Sequence, residues 1–259
     1  MSESKNYLAK PIDLCCLSGT LHEGEPRGKL ETISDIETYI ATPKADTANG
    51  NIVLYFPDVW GLFNNGKLIM DCFADAGYLT LGLDYFRGDD VTKHRDENNQ
   101  PHSGFDFAAW ANANLKSALE FTPGWIEAVK EKYGKENTKY ACTGYCFGGP
   151  FVCNALGNGA VSVGAFGHPA FLEEHHFANL KGPLFLSCSE TDFTFGPENR
   201  RKAEEVMTRD KKTYQFQLFS GVNHGFALRC NLDDPYEKYV KEQSFIGIIG
   251  WFDFWLSKK

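Results

Sequence analysis

Between residues 139 and 150 the chain reads KYACTGYCFGGP. Apolar strand residues lead directly into Gly144-Tyr145-Cys146-Phe147-Gly148-Gly149, and Phe151 to Leu156 then suits a helix. A G-x-C-x-G-G turn between strand and helix is the setting of a nucleophile elbow, with cysteine where serine is usual. On so sharp a turn the nucleophile sits in strained backbone geometry, and bulky side chains two residues to either side would collide with it. The helix that starts there aims N–H groups at the sulfur, which favours the thiolate and a developing oxyanion.

On both sides of this turn, strand-like and helix-like segments alternate. Asn51 to Pro57 (NIVLYFP) is a short, continuous apolar run ended by Pro, the pattern of a strand buried on both faces of a parallel sheet. Lys67 to Ala76 carries apolar residues at helical spacing and stops at Gly77. Tyr78–Leu83, Thr138–Thr143, Val161–Phe166, Pro183–Ser189 and Tyr214–Phe219 read as further strands. Phe107–Glu120 and Trp125–Tyr133 read as two helices separated at Pro123-Gly124, Pro197–Arg209 as a helix opened by proline, and Pro235–Leu256 as a long closing helix. Repeated strand, helix, strand order implies an α/β architecture with a mostly parallel sheet between helices. Residues 1–50 differ, and ETISDIETYIATP alternates well enough for antiparallel edge strands. With no linker or repeat, residues 1–259 read as one domain. The polar stretch from Arg87 to Phe105 reads as a solvated loop.

A nucleophile needs a base and an orienting acid. In α/β-hydrolases these follow the nucleophile in the order Asp/Glu, then His. Here the strand Pro183–Ser189 runs into Glu190-Thr191-Asp192, and Tyr214–Phe219 into Ser220-Gly221-Val222-Asn223-His224-Gly225-Phe226. His224 would deprotonate Cys146 and later activate water, while Asp192 would fix the imidazole tautomer, with Glu190 as the reserve acid.

With GYCFGG at the elbow, the ETD turn, NHGF at the histidine and Phe56-Pro57-Asp58-Val59-Trp60-Gly61 after the first core strand, the chain resembles the dienelactone hydrolase family. Cys15-Cys16 and His22-x-Gly24-x-Pro26-x-Gly28 are similar to its fungal members, and the resemblance spans nearly the whole length. It implies a Cys146, His224, Asp192 triad in a compact α/β-hydrolase fold without a large cap domain. It also implies an oxyanion hole from the backbone N–H groups of Phe147 and Val59. Asp58 stands where bacterial members carry a glutamate that contacts the resting thiol, so a thiol-restraining role is expected of it. Bacterial members also place arginines at the substrate. Arg87 is one residue out of that register, and Leu228 fills the other position with Arg229 next to it. Trp60 and Phe226 are expected to wall an apolar substrate pocket.

The composition narrows the partners. The net charge is −8 with no Lys/Arg cluster, so neither nucleic acid nor an anionic membrane surface is expected. No apolar stretch approaches membrane-spanning length, and the N-terminal residues lack a signal-peptide pattern, so the expected location is cytoplasmic. The eight cysteines then read as free thiols. No CxxC, HxxxH or HxH spacing occurs, so neither a metal site nor an organic cofactor is expected. Thiolate is a good leaving group, so esters and lactones are favoured over amides. The expected activity is hydrolysis of a small carboxylic ester or lactone through an acyl-thioester. The alternatives are a non-catalytic small-molecule binding protein and a thiol redox sensor pairing Cys146 with Cys142 or Cys153. Nothing in the sequence bears on oligomeric state.

Overall fold

The run Ile52–Phe56 has no polar residue, and it forms a strand buried at all five positions. Such a strand needs apolar cover on both faces, which a parallel sheet between helical layers provides. The structure, a computed structural model, describes residues 6–258. Residues 1–5 and 259, and the side chain of Cys15 noted above, lie outside the described residues. In chain order the strands are β1 (Tyr7–Ala9), β2 (Lys29–Ile33), β3 (Ile36–Ala41), β4 (Ile52–Phe56), β5 (Leu79–Leu83), β6 (Tyr140–Tyr145), β7 (Val163–Gly167), β8 (Leu172–Glu173), β9 (Leu184–Thr191) and β10 (Tyr214–Asn223). The α-helices are α1 (Asn64–Asp75), α2 (Phe107–Tyr133), α3 (Gly149–Asn158), α4 (Glu174–Ala178), α5 (Pro197–Arg209), α6 (Phe226–Arg229) and α7 (Pro235–Ser257).

Eight strands form one sheet in the order β10-β9-β7-β6-β4-β5-β3-β2. The pairs from β10 to β5 are parallel, and β3 and β2 close one edge antiparallel, as the alternating N-terminal stretch predicts. β1 pairs with β8 in a separate two-stranded ribbon. The pleat sorts side chains into two cores. Leu54, Phe56, Phe166 and Leu186 pack with α2, α3 and α5 through residues such as Trp125, Val152 and Met207. Val53, Tyr55, Val163 and Phe185 face α1 and α7 through Phe73, Ile248 and Phe252. None of the described helices is long and apolar enough to cross a membrane.

Two expectations need correction. The segments either side of Pro123-Gly124 are one continuous helix, α2, of 27 residues. Proline removes one backbone hydrogen bond, but Trp125, Ile126 and Val129 are buried on the far side of it, and their packing holds the helix through. The stretch Arg87 to Phe105 is not simply solvated. It contains a 3₁₀ turn at Val91–His94, an isolated bridge between Arg95 and Pro101, and a fully buried Val91.

Parallel strands all present their C-terminal ends on one edge, where ligands bind in open α/β sheets. The segments carrying Asp58, Cys146, Asp192 and His224 leave β4, β6, β9 and β10 on that edge.

Candidate active site

The elbow has the backbone its glycines predict. Cys146 adopts φ +50°, in the left-handed region that a side chain rarely enters. A Cβ on Gly144 would lie 2.7 Å from the Gly148 carbonyl oxygen, and one on Gly148 would lie 2.3 Å from that of Phe56. The turn is therefore wedged against the end of β4, and α3 starts directly behind it.

A bulge sets the histidine. Pairing of β10 with β9 shifts between Phe219 and Asn223, where Gly221 has φ +69°, and resumes with Asn223 opposite Thr191. His224 and Asp192 thus leave their strands side by side, with His224 Nδ1 3.0 Å from Asp192 Oδ1. Asp192 Oδ1 also accepts from the N–H groups of Thr194 (2.9 Å) and Phe195 (3.0 Å) and from Thr194 Oγ1 (2.7 Å). Burial opposes its charge, but His224 and these donors outweigh burial and hold the carboxyl below its usual range. Burial likewise favours a neutral His224, and Asp192 followed by the Cys16 sulfur outweighs it and raises the imidazole. Glu190 is occupied elsewhere, accepting from Gly221 N–H at 3.0 Å.

Cys146 has no exposed surface. Its sulfur lies 3.7 Å from that of Cys16, and the ligating atoms of Cys16, Cys146 and His224 all lie within 4.8 Å of one another. Burial, then Cys16, then Asp192 push the Cys146 thiol well up, against the Phe147 N–H that stabilises the thiolate. The expected lowering by the helix start is therefore overridden in this closed arrangement.

Cys16 rides on a strap whose carbonyls are held by four side chains. Trp60 Nε1 donates to Cys16 O (2.9 Å), Arg95 to Leu17 O, Arg229 Nε to Ser18 O (3.2 Å) and Asn65 Nδ2 to Thr20 O (2.8 Å). Trp60 is accordingly an anchor rather than a pocket wall, with Arg95 stacked 3.8 Å from its ring centroid.

Asp58 is fully buried, accepts from Trp60 N–H at 2.9 Å and forms an ion pair with buried Arg229. It is the Cys16 sulfur, not this carboxylate, that touches the Cys146 thiol. Arg87 packs over the Phe121 ring (5.0 Å) and borders a different cavity with Glu37 and Asp84. It does not join the cluster around His224. Phe226 does, lining a cavity of about 410 Å³ with His224, Phe193, Arg229 and Ser18. Cys142 bonds the Val152 carbonyl, and Cys153 borders another cavity, so neither stands beside Cys146 as a pairing thiol.

Three participants escaped the sequence. Thr194 is signalled by its place two residues after Asp192, a turn-forming position for a hydroxyl. His168, buried and held neutral with its range lowered to about 3, stacks edge-on to His224 with ring centroids 4.8 Å apart. Cys16, marked in the sequence only by the Cys15-Cys16 resemblance, carries no signal of this contact, because only the fold places it on Cys146.

The model described as "Dienelactone hydrolase family" matches residues 36–255. Dienlactone hydrolase 1 of Gibberella moniliformis is 45% identical over 255 residues, covering 97% of this chain and 97% of that protein. Dienlactone hydrolase 2 of the same fungus is 43% identical, covering 98% and 99%. Among solved structures, a putative dienelactone hydrolase from Klebsiella pneumoniae superposes with a TM-score of 0.68, covering 87% of this chain and 98% of its own, at 14% identity. That last likeness concerns the fold.

Proposed function

The chain belongs to the dienelactone hydrolase family, and on that premise we propose that it cleaves a small carboxylic ester or lactone with Cys146 as nucleophile, His224 as base and Asp192 as orienting acid. The observation that carries this reading is one strained cysteine and one Asp-bound histidine brought together at the strand ends.

His224 takes the Cys146 proton, and the thiolate adds to the substrate carbonyl. The Phe147 and Val59 N–H groups receive the oxyanion. Collapse expels the alkoxide, which takes the proton from His224 and leaves an acyl-thioester on Cys146. Water then attacks, giving its proton to His224, and the second collapse releases the acid and returns the proton to sulfur. In a lactone the alkoxide and the acyl group stay in one molecule. Asp192 stabilises the imidazolium throughout.

The cavity bordered by His224, Phe193 and Phe226 suits a substrate with an apolar part, and the Asp58–Arg229 pair gives no open cation for an anionic lactone. Because Cys146 has no exposed surface, turnover requires the strap bearing Cys16 to move aside. We read residues 1–259 as one domain, and free thiols at seven described cysteines suit a reducing, cytoplasmic setting.

The test is hydrolysis of lactones and aryl esters of graded size, with limited iodoacetamide labelling mapped by mass spectrometry. Activity should vanish in Cys146→Ala and fall in step with alkylation of Cys146. Loss of activity with Cys146 unlabelled would overturn the assignment.

A further inference from the structure

We propose that Cys16, Cys146 and His224 together bind a thiophilic divalent cation of the Zn²⁺ class, held by two thiolates and one imidazole nitrogen. The cluster's ligating atoms already lie within 4.8 Å of one another. Two thiolates on one tetrahedral Zn²⁺ at about 2.3 Å stand about 3.8 Å apart. The sulfurs here are 3.7 Å apart, so sharing an ion requires almost no movement, whereas a disulfide would draw them to about 2.05 Å.

The surroundings have the features of a metal site. With Nδ1 held by Asp192, the ring nitrogen left for an ion is Nε2, which is buried on the side of the Cys16 sulfur. A carboxylate on the far nitrogen is the usual outer partner of a metal-bound histidine, and Thr194 and Phe195 fix that carboxylate in turn. Cys16 is held in place before any ion arrives, because Trp60, Arg95, Arg229 and Asn65 secure the strap by its carbonyls.

Charge and protons balance. The two thiols and the His224 imidazolium lose their protons to solvent, the imidazole nitrogen so freed lends its lone pair, and a divalent ion on two thiolates is a neutral complex, which a buried site tolerates. Two sulfurs and one nitrogen favour a soft ion over Mg²⁺ or Ca²⁺. A fourth position stays open to water. Occupancy would tie up the nucleophile, so the ion is a reversible inhibitor; that consequence alone rests on the reading of Cys146 given above.

The full chain, metal-free and kept reduced by a non-chelating phosphine, is titrated with Co²⁺. One equivalent should produce a thiolate-to-cobalt charge-transfer band and the intense visible bands of a four-coordinate ion, and Zn²⁺ should abolish them. In competition with a chromophoric chelator, Cys16→Ser should weaken Zn²⁺ binding by roughly 10–100-fold or more, while Cys72→Ser, at an exposed cysteine, leaves it unchanged. Should Cys16→Ser fail to fold, protection of Cys16 and Cys146 from iodoacetamide by Zn²⁺ in the unaltered protein identifies the same ligands. Absence of the cobalt bands, or equal Zn²⁺ affinity in folded Cys16→Ser, overturns the site. If the bands appear and bound Zn²⁺ leaves hydrolysis intact, the site stands and the nucleophilic role of Cys146 falls. If hydrolysis depends on Cys146 and no ion binds, only the metal site falls.

Discussion

Asp192 and Glu190 sit two residues apart, a spacing that strand alternation would point to one face, but β9 ends at Thr191 and the turn beyond it separates their tasks. Asp192 turns inward to His224, while Glu190 caps the bulge glycine of β10 from the exposed side. Replacing Asp192 with Asn keeps the shape but presents an amide to Nδ1, so the imidazole loses its orienting charge. Steady-state kinetics of Asp192→Asn should show kcat lowered by roughly 10⁴-fold, by analogy with the same change in a serine-protease triad, with KM little altered. Glu190→Gln should retain kcat within a few-fold. A drop in Glu190→Gln matching that in Asp192→Asn would reassign the acid.

At the scale of elements, the elbow and α2 show opposite uses of glycine. Gly148 faces a backbone oxygen that cannot yield, so Gly148→Ala forces β4 and the elbow apart. Overpacking of that kind costs about 1–3 kcal/mol, and a urea melt together with lost turnover checks it. Gly124 lies inside α2 with open space where its Cβ would be. Gly124→Ala should add about 0.5–1 kcal/mol of stability by restricting the unfolded chain, seen calorimetrically as Tm raised by about 1–4 °C. The strap is a third such element, and Arg95 is its clasp. Arg95→Ala removes the stacking contact on Trp60 and the hydrogen bonds to the Leu17 carbonyl and to Asn99. Iodoacetamide should then label Cys146 faster, by roughly tenfold; an unchanged rate would mean that the strap does not limit access.

Across the whole molecule, the Asp58–Arg229 pair joins the end of β4, the helix after His224 and the N-terminal strap. Both side chains are at most 2% exposed, so neither charge has water to fall back on. Arg229→Ala leaves a buried carboxylate uncompensated and should destabilise the fold by about 3–5 kcal/mol, whereas replacing both partners with apolar residues should recover most of that loss. Denaturant unfolding of the three proteins measures both effects. Equal losses in the single and double variants would show that the side-chain volumes, not the charges, hold this junction.

Patterns within a few residues of each other were legible without the structure. Continuous apolar runs exposed the core strands, alternation the edge strands and helical spacing most helices, and the elbow, the acid and the histidine each follow a strand, so the order of elements alone lines them up at one sheet edge. The single helix through Pro123 was not legible, because burial of Trp125 and Val129 overrides a local break signal. Nor were the tasks of Asp58 and Trp60, whose positions in the chain name the site but not the partner each one meets there. Cys16 and Cys146 are 130 residues apart, and their 3.7 Å contact comes from a strap that four distant side chains hold down. Local sequence sets backbone conformation through short-range sterics and hydrogen bonds, so it determined the elbow and the sheet. Which side chain covers the nucleophile depends on packing among segments far apart in the chain, and that only the tertiary structure decided.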